Sequence, residues 1–246
     1  MEQPEEHVTT VLKGLKAISP ETNYNFLDLG WNVRLLSDNQ IKEAVQQARS
    51  SDLAILVVGE NSMRYHWNEK TCGENSDRYE LSLPGRQQEL VEAVAATGVP
   101  TVVILVNGRP LTTEWIDENM PCIIEAWEPG VAGGQALAEI LYGKVNPSGK
   151  LPITIPRSTG QIQCMYNHKF TNHWFPYATG NSLPLYEFGY GLSYTTYKYE
   201  NLKLSEATTT PDKSVKVTVD VTNTGKMDGE ETVQLYIRDE YSSATR

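Results

Sequence analysis

Six consecutive apolar residues, Leu53 to Val58, run without interruption into Gly59, and this run constrains the fold more than any other stretch of the 246-residue chain. A strand with one wet face alternates apolar and polar side chains. An unbroken run of this length that stops at a glycine suits a strand buried on both faces of a parallel sheet. Just before it, Ile41, Ala44, Val45 and Ala48 fall at i, i+3, i+4 and i+7 and line one face of a helix over 38–50, with Asp38 expected as its N-cap. The unit then recurs: a helix over 86–96, a strand over 101–106 ending at Asn107-Gly108, a short helix over 111–118, a strand over 122–126 and a helix over 133–142. Strands alternating with helices predict an α/β fold, a mostly parallel sheet sandwiched by helices with right-handed crossovers.

In such a sheet the ligand crevice lies beyond the carboxyl ends of the strands, so the loops after Val58, Val106 and Ala126 form the face where chemistry is expected. The longest, from Gly59 to Pro84, carries Tyr65, Trp67, Tyr79 and several charges. An aromatic-rich loop of that length in a compact domain is expected to be ordered and functional.

From Asn146 to Tyr197 the chain is rich in Pro, Gly and aromatics without a clear period, which reads as an extended segment wrapping the first domain. Beyond it the pattern changes. Residues 215–221 alternate strictly, Asn223-Thr224-Gly225 makes a turn, and 232–237 alternate again, predicting a hairpin in a partial antiparallel β-sandwich. The expected division is therefore an α/β domain over 1–194 and an incomplete β-domain over 195–246. So few strands leave bare edges, at which a second copy of the chain could pair.

Several function classes are disfavoured. A formal net charge of −10 repels a phosphate backbone, so no nucleic-acid partner is expected. No stretch nears the roughly 18 apolar residues of a membrane span. The acidic N-terminus does not resemble a signal peptide, so the chain as written reads as cytoplasmic, export being left to a leader on a longer parent. Cys72, Cys122 and Cys164 are too few and too scattered for a disulfide framework or a zinc site and read as reduced thiols. His7, His66, His168 and His173 share no metal-ligand spacing. Gly130-Val131-Ala132-Gly133-Gly134 lacks the spacing of a dinucleotide turn, and Ser148-Gly149-Lys150 lacks that of a nucleotide loop.

An ordered series of blocks is more specific than any of these. Gly59-Glu60-Asn61, then 72–78 (Cys-Gly-Glu-Asn-Ser-Asp-Arg), 83–88 (Leu-Pro-Gly-Arg-Gln-Gln) and Asn107-Gly108-Arg109-Pro110-Leu111 follow one another. Glu125-Ala126-Trp127-Glu128-Pro129-Gly130, Gly133-Gly134, 146–152 (Asn-Pro-Ser-Gly-Lys-Leu-Pro) and 188–195 (Phe-Gly-Tyr-Gly-Leu-Ser-Tyr-Thr) complete the series. In this order the chain resembles the second domain of family 3 glycoside hydrolases of the β-glucosidase type, running into their fibronectin-like third domain. The resemblance implies a retaining hydrolase of β-linked sugars, with β-glucosides the first expected substrate and β-xylosides the next. Such chemistry uses two carboxyl groups about 5–5.5 Å apart, one attacking the anomeric carbon and one protonating the leaving oxygen, and needs no metal or organic cofactor.

In that family the nucleophile is an aspartate on an N-terminal (β/α)8 barrel. The resemblance implies that this chain starts inside the second domain, with neither barrel nor first strand, and is inactive by itself. It also implies that Glu74, in Gly73-Glu74-Asn75-Ser76-Asp77-Arg78, is the acid/base. Other residues of the loop are expected to support it. Glu60 follows a strand directly and either faces the crevice or accepts hydrogen bonds from its own loop and shapes it, the second being favoured. Asp77 and Arg78 either brace it by charge-assisted hydrogen bonds or form a solvated pair. Tyr65 and Trp67 either stack on a sugar ring or anchor the loop. The rival reading is a non-catalytic sugar- or partner-binding module that acts only with a separate barrel chain.

Overall fold

The computed structural model describes residues 5–62, 68–167, 177–239 and 241. Five α-helices and five β-strands are assigned among them, besides two short 3-10 turns: α1 (Val11–Ile18), α2 (Asp38–Arg49), β1 (Ala54–Gly59), α3 (Gln87–Ala95), β2 (Thr101–Val106), α4 (Glu114–Asn119), β3 (Cys122–Glu125), α5 (Gly133–Leu141), β4 (Tyr197–Leu204) and β5 (Val217–Asn223). β1, β2 and β3 form one parallel sheet with β2 in the middle, each crossover carrying a helix, as the alternating pattern predicts.

The two-residue period of the strands divides the core between the faces of the sheet. On one face Leu56, Val58, Val103 and Leu105 pack with Val91 of α3 and Ile116 of α4, and Leu36, Ile41 and Ala48 extend that layer along α2. On the other face Ile55, Val102, Ile104 and Ile124 meet Leu137 of α5 and Val11 of α1. β2 is sealed on both sides, with Val103 and Ile104 fully buried, which is why its sequence is apolar without a break from Val102 to Val106.

Two local expectations change. The N-cap of α2 is Ser37, not Asp38: the Ser37 hydroxyl accepts from the Gln40 amide at 3.3 Å and the Gln40 side chain returns to the Ser37 amide at 2.9 Å. A reciprocal box satisfies two orphan donors where a lone aspartate satisfies one. Asp38 becomes the first helical residue and pairs with Arg86 at 2.7 Å. Helix α1, unforeseen because Gly14 breaks its pattern, needs that glycine: a Cβ there would lie 2.2 Å from the Gly134 carbonyl of α5.

The segment after α5 wraps as expected. It doubles back through Leu151 N–H to Tyr190 O (2.8 Å) and Ile155 N–H to Tyr186 O (2.9 Å), and Arg157 ties it to Glu114 of α4 at 2.9 Å. The predicted hairpin is not formed. β5 pairs antiparallel with β4, not with 232–237, where no strand is assigned. Residues 232–237 instead contact the wrapping segment, with Gln234 donating to the Gly189 carbonyl at 2.9 Å. Alternation records which face of a strand is covered and does not name the neighbour.

Candidate active site

At the end of β1 the chain must turn outward while pressed against β2. Gly59 does so at φ +143°, with room for no side chain: a Cβ would stand 1.9 Å from the Val106 carbonyl. Gln87, the first residue of α3, closes the two ends of the long loop. It accepts from Gly59 N–H at 2.8 Å and donates to the carbonyls of Gly59 (2.7 Å) and Pro84 (3.1 Å).

The next side chain, Glu60, points inward and its carboxylate is wholly covered. Arg78 Nη1 meets Glu60 Oε1 at 3.0 Å and Arg109 Nε lies 3.3 Å from the same oxygen. Each guanidinium also holds the loop: Arg78 Nη2 donates to the Ser82 carbonyl at 2.7 Å, and Arg109 Nη2 to the Ser76 carbonyl at 2.6 Å. Asn61 holds the base, its carbonyl accepting from the amides of Thr71 and Cys72 and its own amide donating to Thr71 Oγ1. Glu60 is thus paired with two arginines, Arg78 from its own loop and Arg109 from the loop after β2.

Glu74 stands at the tip of this loop. Gly73 (φ 87°) and Asn75 (φ 56°) flank it in the left-handed region, and Ser76 N–H closes the turn onto the Gly73 carbonyl at 3.2 Å. Lys70 Nζ donates to the Glu74 carbonyl. The Glu74 residue is exposed, and no hydrogen bond or ion pair reaches its carboxyl among the described residues. Asp77 is also exposed, and Arg78 turns away from it, inward to Glu60. Tyr65, Trp67 and His66 lie outside the described residues, as do His168 and His173.

The sequence reading missed the second tier of this end of the sheet. Glu125 ends β3 and accepts from Trp127 N–H at 3.0 Å and Asn107 Nδ2 at 3.3 Å, and burial pushes its carboxyl up to about 7. Cys72 Sγ lies 3.6 Å from Glu128 Oε1; burial, then the negative charges of Glu60 and Glu128, push its thiol up to about 11. Asn107, Arg109 and Glu128 follow strand ends and Glu125 is the last residue of a strand, the one signal that singles them out in sequence. Among the described residues no group of three or more His, Cys, Asp and Glu side chains is arranged to hold a metal ion, and no helix is long and apolar enough to cross a membrane.

Such an arrangement offers one solvent-facing carboxyl on a fixed turn, fit to pass a proton to a group docked against this face. Residues 2–194 match the glycosyl hydrolase family 3 C-terminal domain. The chain belongs to this family. It is 41% identical over 244 residues to a β-xylosidase of Formosa agariphila, covering 98% of this chain and 33% of that protein. It is 42% identical over 219 residues to a periplasmic β-glucosidase of Salmonella typhimurium, covering 84% of this chain and 27% of that one. Among solved structures, β-glucosidase EmGH1 of Erythrobacter marinus superposes with a TM-score of 0.82 at 34% identity, over 99% of this chain and 36% of its own. The β-glucosidase of Listeria innocua in complex with glucose gives 0.82 at 28% identity, over 99% and 34%. The chain thus spans about a third of the length of the family 3 relatives it matches.

Proposed function

We propose that this chain is the acid/base-bearing part of a retaining β-glycosidase, with Glu74 protonating the leaving oxygen and then activating water. The observation that carries the reading is the placement of Glu74: an exposed carboxyl at the tip of a turn braced at both ends, beyond the carboxyl ends of the parallel strands. In this chain Glu74 is exposed, so its enclosure during the reaction has to come from a partner. That enclosure and the nucleophile both belong to a barrel domain packed on this face. β-Glucosides are the first substrate class and β-xylosides the second, since relatives of both names match the chain. The open edges of the two sheets are where a second copy would pair.

The test is hydrolysis of 4-nitrophenyl β-glucoside and β-xyloside by the chain alone, by the chain joined behind a family 3 barrel, and by its Glu74→Gln form. Activity is expected only with the barrel present, falling roughly 10²–10⁴-fold in Glu74→Gln, the usual contribution of a general acid/base. Turnover by the chain alone at a comparable rate would overturn the reading.

A further inference from the structure

Glu60 is a carboxylate that a loop gains nothing by hiding unless the loop itself matters. Its side chain is fully covered and holds two arginines, each of which also donates to the backbone of the loop that carries Glu74, Arg78 at Ser82 and Arg109 at Ser76. An exposed ion pair contributes little, whereas a buried one is costly to break because the remaining charge is left uncompensated. The bracing is distributed along the loop: the amides of Thr71 and Cys72 are held before the tip, the Ser76 carbonyl two residues past Glu74, and the Ser82 carbonyl at the exit.

We propose that Glu60, acting through Arg78 and Arg109, is the positioning residue for Glu74, and that this clamp governs proton delivery to the leaving group. The inference rests on the reading of Glu74 as acid/base. In the step concerned, the nucleophile's oxygen bonds to the anomeric carbon, the bond from that carbon to the leaving oxygen breaks with its electron pair going to that oxygen, and Glu74 supplies the proton the oxygen takes up. A carboxyl displaced by about 1 Å can cost on the order of 10²-fold. The loss depends on the substrate: a leaving group that departs readily as an anion needs no proton, and a sugar hydroxyl does.

The experiment uses the chain joined behind a family 3 barrel and compares kcat/KM for 2,4-dinitrophenyl β-glucoside with kcat/KM for cellobiose. In Glu60→Gln the ratio of the first to the second is expected to rise at least about tenfold, and in Arg109→Lys to rise in the same direction, because an ammonium cannot reach Glu60 and Ser76 together. Glu74→Gln sets the scale with the largest rise. Equal losses on both substrates in Glu60→Gln and Arg109→Lys, with the rise still present in Glu74→Gln, overturn the clamp and leave the acid/base reading intact. No rise in Glu74→Gln overturns that reading and the clamp with it. Circular dichroism establishes that each variant is folded, and if Glu60→Gln is not, the ratio in Arg109→Lys decides.

Discussion

A carboxyl at position 125 that titrates near neutrality makes stability depend on pH in a defined direction. Burial raises Glu125 from 4.5 to about 7, so between these values the folded chain binds a proton that the unfolded chain has lost. Its contribution is fully present below about pH 4.5 and is lost as pH rises through about 7. At about 1.4 kcal/mol per pK unit, the whole shift from 4.5 to about 7 amounts to roughly 3.5 kcal/mol, of which roughly 2–3 kcal/mol falls between pH 5 and pH 7.5. Denaturant unfolding at pH 5 and pH 7.5 should show the chain losing that much relative to Glu125→Gln, and parallel behaviour of the two would refute the assignment. Cys72 gives a second handle. Being 1% exposed with its thiol pushed up to about 11, it should react with a disulfide reagent at pH 8 at least about 100-fold more slowly than the exposed Cys122. Comparable rates would mean that the loop opens readily. At this scale the sequence identified Glu60 and Arg78 but not their bond, and passed over Arg109 and Glu125. Ion pairing and burial are set by where strands end in space, which no local pattern records.

Elements were more legible, because each strand and helix of the parallel sheet carries its own period. What the pattern could not convey was how closely two elements approach. Gly14 of α1 and Gly134 of α5 leave the helices no room: a Cβ on Gly134 would stand 2.2 Å from the Thr10 carbonyl, and Gly134 N–H donates to the Thr9 carbonyl at 3.0 Å. Gly134→Ala should therefore lower stability by about 1–3 kcal/mol despite the better helix propensity of alanine, as forced overpacking does. Thermal melting beside Gly143→Ala separates the causes. Gly143, unlike Gly134, has positive φ (65°) and open space around it, so its cost is backbone strain alone. An unchanged melting temperature in Gly134→Ala would show that the helices can part freely. β4 was missed for a related reason. Most of its side chains are exposed, and a bulge between Glu200 and Lys203, with Asn201 at φ 55°, interrupts any alternation.

Across the whole molecule, the two sheets differ in how well they are covered. The parallel sheet is packed by helices on both faces, although Val57 of β1 remains 49% exposed. The β4–β5 pair lacks such cover. Leu202 and Leu204 of β4, both turned to solvent, are 68% and 56% exposed, and Leu235 and Ile237 are 66% and 77% exposed. Two strands are marginal in water, and exposed apolar side chains beside unpaired edges favour association with another chain. The chain by itself should accordingly self-associate through this region. Sedimentation over a wide concentration range is expected to show a mass above that of the monomer, and the double substitution Leu202→Lys with Leu204→Lys to return it to the monomer. Two added charges on β4 oppose pairing by desolvation and repulsion without touching the parallel sheet, so activity with a barrel supplied should change by less than about threefold. A chain that stays monomeric throughout would mean that β4 and β5 already have enough cover from the wrapping segment. Association that survives both lysines would move the contact to the free edge of β1, where Val57 is the exposed residue to charge next.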